Sequence, residues 1–273
     1  LAFLTPGNSV LLQLGASLLL LFAVAVALHG EMYRLRPAPE HLTQFYLMMS
    51  VGGALGGLFC ALIAPLVFDW TWEHPILILA AAALIPQRRL FSIGEEEIFG
   101  IEGMRRVAVG IGILALLVAL YIGIELQLEM NAERILLLGI VIALGALVIG
   151  QRLGYVIVVL ALLIANGGVY NAVLSWEGLR TRSYFGVYSI NASESGQLRW
   201  LSHGTTMHGM QLMDDPTRPI SYYGPSSGVG LAFNKADALY GPEASIGVVG
   251  LGTGTLSCYR QEGQDWRFFE IDP

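Results

Sequence analysis

Charge is scarce in this sequence: Asp, Glu, Lys and Arg make up 13% of 273 residues against 55% hydrophobic ones, and lysine occurs once, at Lys235. So small a charged fraction excludes an ordinary soluble protein. The fifteen basic residues are scattered and the net charge is −6, which excludes the clustered positive footprint of a nucleic-acid binder. Cysteine is nearly absent as well. Cys60 lies in an apolar run and Cys258 just after a glycine cluster, a spacing that fits neither a disulfide framework nor a metal site, so both are read as buried free thiols. No metal is expected. No charged segment precedes the first apolar run, as a secretory leader would require, and the first residue is Leu, so the chain is expected to be a fragment or a processed product.

Long apolar runs are what the first two thirds contain. A bilayer's hydrocarbon core takes about 20 apolar residues to cross as a helix, and such runs occupy 9–28, 44–68, 107–124, 135–150 and 153–174. A sixth, 76–85, lies between Pro75 and Pro86 and is short. The expected architecture is therefore an α-helical membrane region of five or six spans over residues 1–175, with the lipid bilayer as its first partner. Trp70 and Trp72 stand where an interfacial aromatic belt would place them. Gly52, Gly53, Gly56 and Gly57 form two small-xxx-small pairs, which let a second helix approach closely. A partner subunit or a second copy could use this Gly52/Gly56 face. The segment 87–106 is charged and expected to lie on the membrane surface. In "ANGGVYN", Asn166 and Asn171 need partners in hydrocarbon, and a helix–helix contact is preferred to a cavity. The spans lack charged residues that would mark a transport path.

Past residue 175 the apolar runs give way to alternation. Segments 183–193, 196–213 and 227–234 are expected as strands of a small β-stranded part over residues 176–240. Residues 241–273 then read as the first β-α-β of a Rossmann-like cofactor sheet. A buried strand, Ile246–Val249, runs into Gly250-Leu251-Gly252-Thr253-Gly254, and "WRFFEIDP" supplies a second strand with Glu270 at its tip, sixteen residues after Gly254. Glycines permit the tight turn and the approach of a ligand to the backbone, and the helix expected after them would present its N-terminal amides. A carboxylate at the second strand's tip is what two ribose hydroxyls require. His203 and His208, five apart, are expected on opposite faces of one strand and not on a shared metal. His208 is the one expected to face a ligand.

On "LSHGTTMHGMQ", "YYGPSSGVG", "VGLGTGTL" and "FFEIDP", together with "HGEMYRLRPAPEHLTQFYLMMSVGGALGGLF" and "APLVFDWTWEHP", the chain resembles the membrane-fused members of the spermidine synthase (polyamine aminopropyltransferase) family. The resemblance implies a methyltransferase-type α/β sheet and decarboxylated S-adenosylmethionine, or a related S-adenosyl nucleoside, as donor. It places Gly250, Gly252, Gly254, Glu270 and Gln211 at the donor, and Tyr222, Tyr223 and His208 at a small amine substrate. Thr253 stands where the family carries Asp, and Gly224-Pro225 where it carries His-Glu. The family's catalytic Asp lies on a later strand that this sequence does not contain, so the catalytic residue is unknown and the chain is expected to need further C-terminal residues for activity.

Sidedness is drawn two ways. S-adenosyl compounds are cytoplasmic, which puts the polar part inside a bacterial inner membrane. With six spans, seven arginines (Arg34, Arg36, Arg88, Arg89, Arg105, Arg106, Arg152) fall opposite that part and three (Arg134, Arg180, Arg182) beside it; with five spans the count is even. The cytoplasmic placement is retained. A reading from another class is a non-catalytic subunit of a larger membrane complex.

Overall fold

The computed structural model describes residues 10–88, 95–126, 131–193 and 195–272. The chain divides into two compact units: one runs to Trp176, and the other takes residues 65–70 and everything from Glu177.

The first unit is helical: α1 (Val10–Arg34), α2 (Leu42–Leu58), α4 (Glu73–Leu84), α5 (Glu95–Glu125), α6 (Ala132–Leu147), α7 (Arg152–Leu163) and α8 (Val169–Trp176), while α3 (Ala64–Val67) falls mostly within the second unit's residues 65–70. Widened turns at Phe59–Ile63 and Ile164–Gly168 join α2 to α3 and α7 to α8. Among the described residues four stretches are long and apolar enough to cross a membrane: Leu14–Arg34, Pro39–Val67, Glu102–Glu125 and Arg152–Trp176. The other two expected spans do form helices. With 12 residues in α4 and 16 in α6, they rise about 18 and 24 Å, short of a core about 30 Å thick.

Small residues make the core of this unit. Ala108, Ala115 and Ala119 of α5 pack with Val141 of α6 and Val158 and Ala161 of α7. At Gly154 an added Cβ would lie 2.6 Å from the carbonyl oxygen of Ala108, so the crossing of α5 and α7 depends on a missing side chain. The glycines singled out in the sequence behave differently: around Gly52, Gly53, Gly56 and Gly57 no described atom comes within 4 Å of an added Cβ. Arg105 and Arg106 belong to α5 and to its membrane-length stretch, not to a loop, while Arg89 lies outside the described residues. α5 itself is kinked at Gly100.

Arg134 corrects the sequence reading most sharply. Placed in a loop by its position beside an apolar run, it is instead buried (1% exposed), and its Nη2 donates to the carbonyl of Ala165 at 3.0 Å. A charged residue therefore does sit inside the helical unit. Its target lies in the Ile164–Gly168 turn, where Asn166 and Gly167 leave helical geometry. The two asparagines take up neighbouring carbonyls: Asn166 Nδ2 donates to Leu162 O and Asn171 Nδ2 to Gly167 O, both at 2.7 Å. Gly123 of α5 packs against Val169 and Ile164 here, so the helix–helix contact expected of "ANGGVYN" is present.

The second unit holds two sheets. Strands β1 (Arg180–Ser183), β2 (Gly186–Ala192), β3 (Leu198–His203) and β4 (Thr206–Leu212) form an antiparallel meander. After α9 (Gly228–Phe233) and α10 (Ala236–Tyr240), β5 (Ser245–Val249) and β6 (Asp265–Phe269) pair in parallel, in register from Ser245↔Asp265 to Val249↔Phe269. Segment 227–234 is thus a helix and not the strand its alternation suggested. Ser227 caps it, its Oγ accepting from the amide of Gly230 at 3.1 Å, and that local bond outweighs a weak period-two pattern. Phe233 of α9 stacks near Trp266 of β6, ring centroids 5.0 Å apart, giving the parallel pair one packed face.

Between β5 and β6 the expected helix is reduced to a single 3-10 turn, Thr255–Tyr259. Fifteen residues separate Val249 from Asp265 and the glycine bend takes five, which leaves too little chain for a full crossover helix of the usual kind. β5 is also less buried than its composition suggested: Val248 is enclosed, while Val249 is 91% exposed. Two parallel strands and one 3-10 turn are what is present of the α/β sheet the sequence suggested.

Candidate functional site

The glycine bend is built by backbone geometry that side chains resist. Gly250, Gly252 and Gly254 have φ of +87°, +56° and +71°, a region L-residues rarely adopt. The amide of Gly254 donates to the carbonyl of Leu251 at 2.9 Å, closing the bend. Above Gly250 and Gly252 the surface is open, with no described atom within 4 Å of an added Cβ.

Glu270, at the end of β6, reaches this bend. Its Oε2 accepts from the amide of Leu251 at 2.7 Å, and its Oε1 accepts from the amides of Ile271 (2.8 Å) and Asp272 (3.1 Å). These backbone donors, Leu251 first, hold the carboxyl below the usual carboxylate range. A carboxylate offers about four lone-pair sites, so three are engaged within the chain, and the Gly252 amide pulls weakly on the group as well. The two-hydroxyl grip expected from the sequence is therefore reduced. Glu270 first of all staples the bend.

The same bend walls a cleft of about 370 Å³ over the β3–β4 hairpin. Gln211 and Gly254, both singled out in the sequence, line it together with Thr253, Thr255, Arg199 and Arg218. Gly209 explains how close the two elements come: a Cβ there would lie 2.3 Å from Thr253 Oγ1. Cys258 also lines the cleft, where burial pushes its thiol up. Sequence reasoning passed over Arg199 and Arg218; the signal available was the pairing of Arg199 with Gln211 across the hairpin.

The tyrosines and histidines are placed elsewhere. Tyr222 donates its hydroxyl to Met207 O at 2.8 Å, and Tyr223 O accepts from the Tyr259 hydroxyl at 2.5 Å, so both hold the Ser221–Tyr223 turn against its neighbours. His203 and His208 are not on one strand. "GTT" turns the chain between β3 and β4, and the rings come within 5.5 Å of each other, with His203 also stacked on Tyr188 at 4.4 Å. His208 is the extra residue of a register shift in β4: Leu201 pairs with Gly209 and Ser202 with Met207, so strict alternation does not assign it a face. Asp272 ties this cluster to the bend: Ser183 Oγ donates to its Oδ2 at 2.9 Å, and its hydrogen bond with Tyr188 raises the tyrosine's pKa. Among the described residues no group of three His, Cys, Asp or Glu could hold a metal ion.

Compared with known protein families, with curated proteins and with solved structures, the chain matches none.

Proposed function

We propose that this chain is an integral membrane protein whose second unit binds an S-adenosyl nucleoside, decarboxylated S-adenosylmethionine or a relative, for aminopropyl-type transfer to a small amine. One observation carries the reading: a glycine bend open above Gly250 and Gly252, with the carboxylate of the neighbouring strand's tip, Glu270, at hydrogen-bond distance from the bend's own amide. Glycines without side chains admit a flat ligand to the backbone, and an acceptor oxygen at the second strand suits a sugar hydroxyl. The donor, when bound, supplies the electrophilic carbon beside its sulfonium. Gln211 and Gly254, in the adjoining cleft, would position its tail. The four membrane-length helices anchor the unit. A bacterial inner membrane with this unit on the cytoplasmic side is the setting in which the donor is available.

Equilibrium dialysis of the intact protein in detergent against radiolabelled S-adenosylmethionine and methylthioadenosine tests the reading. Saturable one-to-one binding is expected, weakened in Glu270→Gln. A wild-type protein that binds neither compound overturns it.

A second reading, a non-catalytic subunit of a membrane complex, is favoured by the Gly52–Gly57 face, where no described atom comes within 4 Å of an added Cβ. Such a face suits a closely crossing helix of a partner or second copy. Gly56→Leu should then abolish association seen by crosslinking in membranes; an oligomer unchanged by Gly56→Leu, or no oligomer at all, counts against it.

A further inference from the structure

The cleft beside the bend has a charge that a polyamine-type site does not call for. Its floor is the cross-strand pair of Arg199 and Gln211, and its rim carries Pro216 and Arg218, opposite Thr253 and Thr255. Gln211 Nε2 donates to Pro216 O at 3.4 Å, tying rim to floor, and the hydroxyls of Thr253 and Thr255 lie 2.8 Å apart. Two arginines thus line one concavity of about 370 Å³ that no Asp or Glu among the described residues lines. Asp215, next in the chain to Pro216, acts on the Cys258 thiol without itself lining the cleft, and its Oδ1 accepts from Thr217 Oγ1 at 3.3 Å. No ion pair joins Arg199 or Arg218 to an acid among the described residues.

We propose that this cleft binds a carboxylate, so that the ligand is an S-adenosyl nucleoside that keeps its amino-acid tail and not the decarboxylated form. The inference rests on the nucleoside reading above and names which member of that class the site selects. A guanidinium matches a carboxylate with paired donors, and threonine hydroxyls add to it. A decarboxylated tail brings only positive groups, an ammonium and a sulfonium, toward two guanidinium ions. Reach is adequate as well. The Gly254–Leu251 hydrogen bond closes a four-residue turn, whose ends lie within about 7 Å of each other. Glu270 holds one end of that turn, at Leu251, and the cleft begins at the other, at Gly254.

Calorimetric titration of the intact protein with S-adenosylmethionine, its decarboxylated counterpart and methylthioadenosine, which has no charged tail, tests this. S-adenosylmethionine is expected to bind roughly tenfold more tightly than the decarboxylated compound. Arg199→Gln and Arg218→Gln, both at exposed positions, should each erase most of that difference and leave methylthioadenosine binding and the melting temperature unchanged. Equal or tighter binding of the decarboxylated compound, or arginine variants that bind S-adenosylmethionine as the wild type does, overturns the inference and leaves the nucleoside reading standing. If none of the three compounds binds, both fall.

Discussion

Glu270 accepts a hydrogen bond from the amide of Leu251 at 2.7 Å, joining the tip of one parallel strand to the glycine bend that follows the other. The contact makes this carboxylate a staple that holds the bend. Because the backbone amides of Leu251, Asp272 and Ile271 favour its charged form, the folded pKa is depressed. The sign follows: the stabilisation is fully present above the unfolded carboxylate's pKa and is lost as pH falls through the lower folded one. The protection of the Leu251 amide, the slowing of its exchange relative to the unstructured chain at the same pH, should therefore fall on acidification within that low range and stay constant near neutrality. In Glu270→Gln the acid-dependent part should vanish, leaving the amide weakly protected at both ends.

Gly209 and Thr253 test the contact between hairpin and bend. A methyl group at Gly209 would fall 2.3 Å from Thr253 Oγ1, so Gly209→Ala should destabilise the second unit by about 1–3 kcal/mol through overpacking. Combining it with Thr253→Ala should recover part of that loss in urea unfolding. Strict additivity of the two changes would show that they do not touch.

Two glycines of the helical unit should respond oppositely. Gly154→Ala pushes a methyl group to 2.6 Å from the Ala108 carbonyl, a backbone atom that cannot swing aside, whereas Gly56→Ala meets no described atom within 4 Å. Steric-trap unfolding in micelles should show a loss of more than about 1 kcal/mol for Gly154→Ala, and no more than about 0.5 kcal/mol for Gly56→Ala, a surface change.

Cys258 reports on the cleft. Its thiol is pushed up chiefly by burial, so at neutral pH it is protonated and a poor nucleophile. In a Cys60→Ser background, alkylation should be slower than for a free thiol and should rise with pH along a curve displaced to the alkaline side. Saturating S-adenosylmethionine should slow it further, since Cys258 lines the cleft beside Thr255.

The helices were legible in the sequence because lipid imposes one rule, an apolar run of sufficient length, and every expected run is helical where described. Span count was less legible. α4 and α6 are apolar but short, and hydropathy alone does not say how such helices end. Arg134 was read as a loop residue, since a sequence does not reveal that the broken turn at Ile164–Gly168 leaves a carbonyl for it, 31 positions away. The bend and Glu270 were legible through positive-φ glycines and strand spacing. What remained hidden there depends on three-dimensional neighbours: the helix cut down to Thr255–Tyr259, the histidines brought together by a hairpin, and the two arginines facing the bend.

The most direct test of the central claim is hydrogen–deuterium exchange over residues 250–254 of the intact protein, with and without saturating S-adenosylmethionine. An S-adenosyl ligand lying on the glycine bend should slow exchange at Gly252 and Thr253 at least severalfold and leave the helices unaffected. Exchange at the bend that stays the same at saturating ligand would contradict the account.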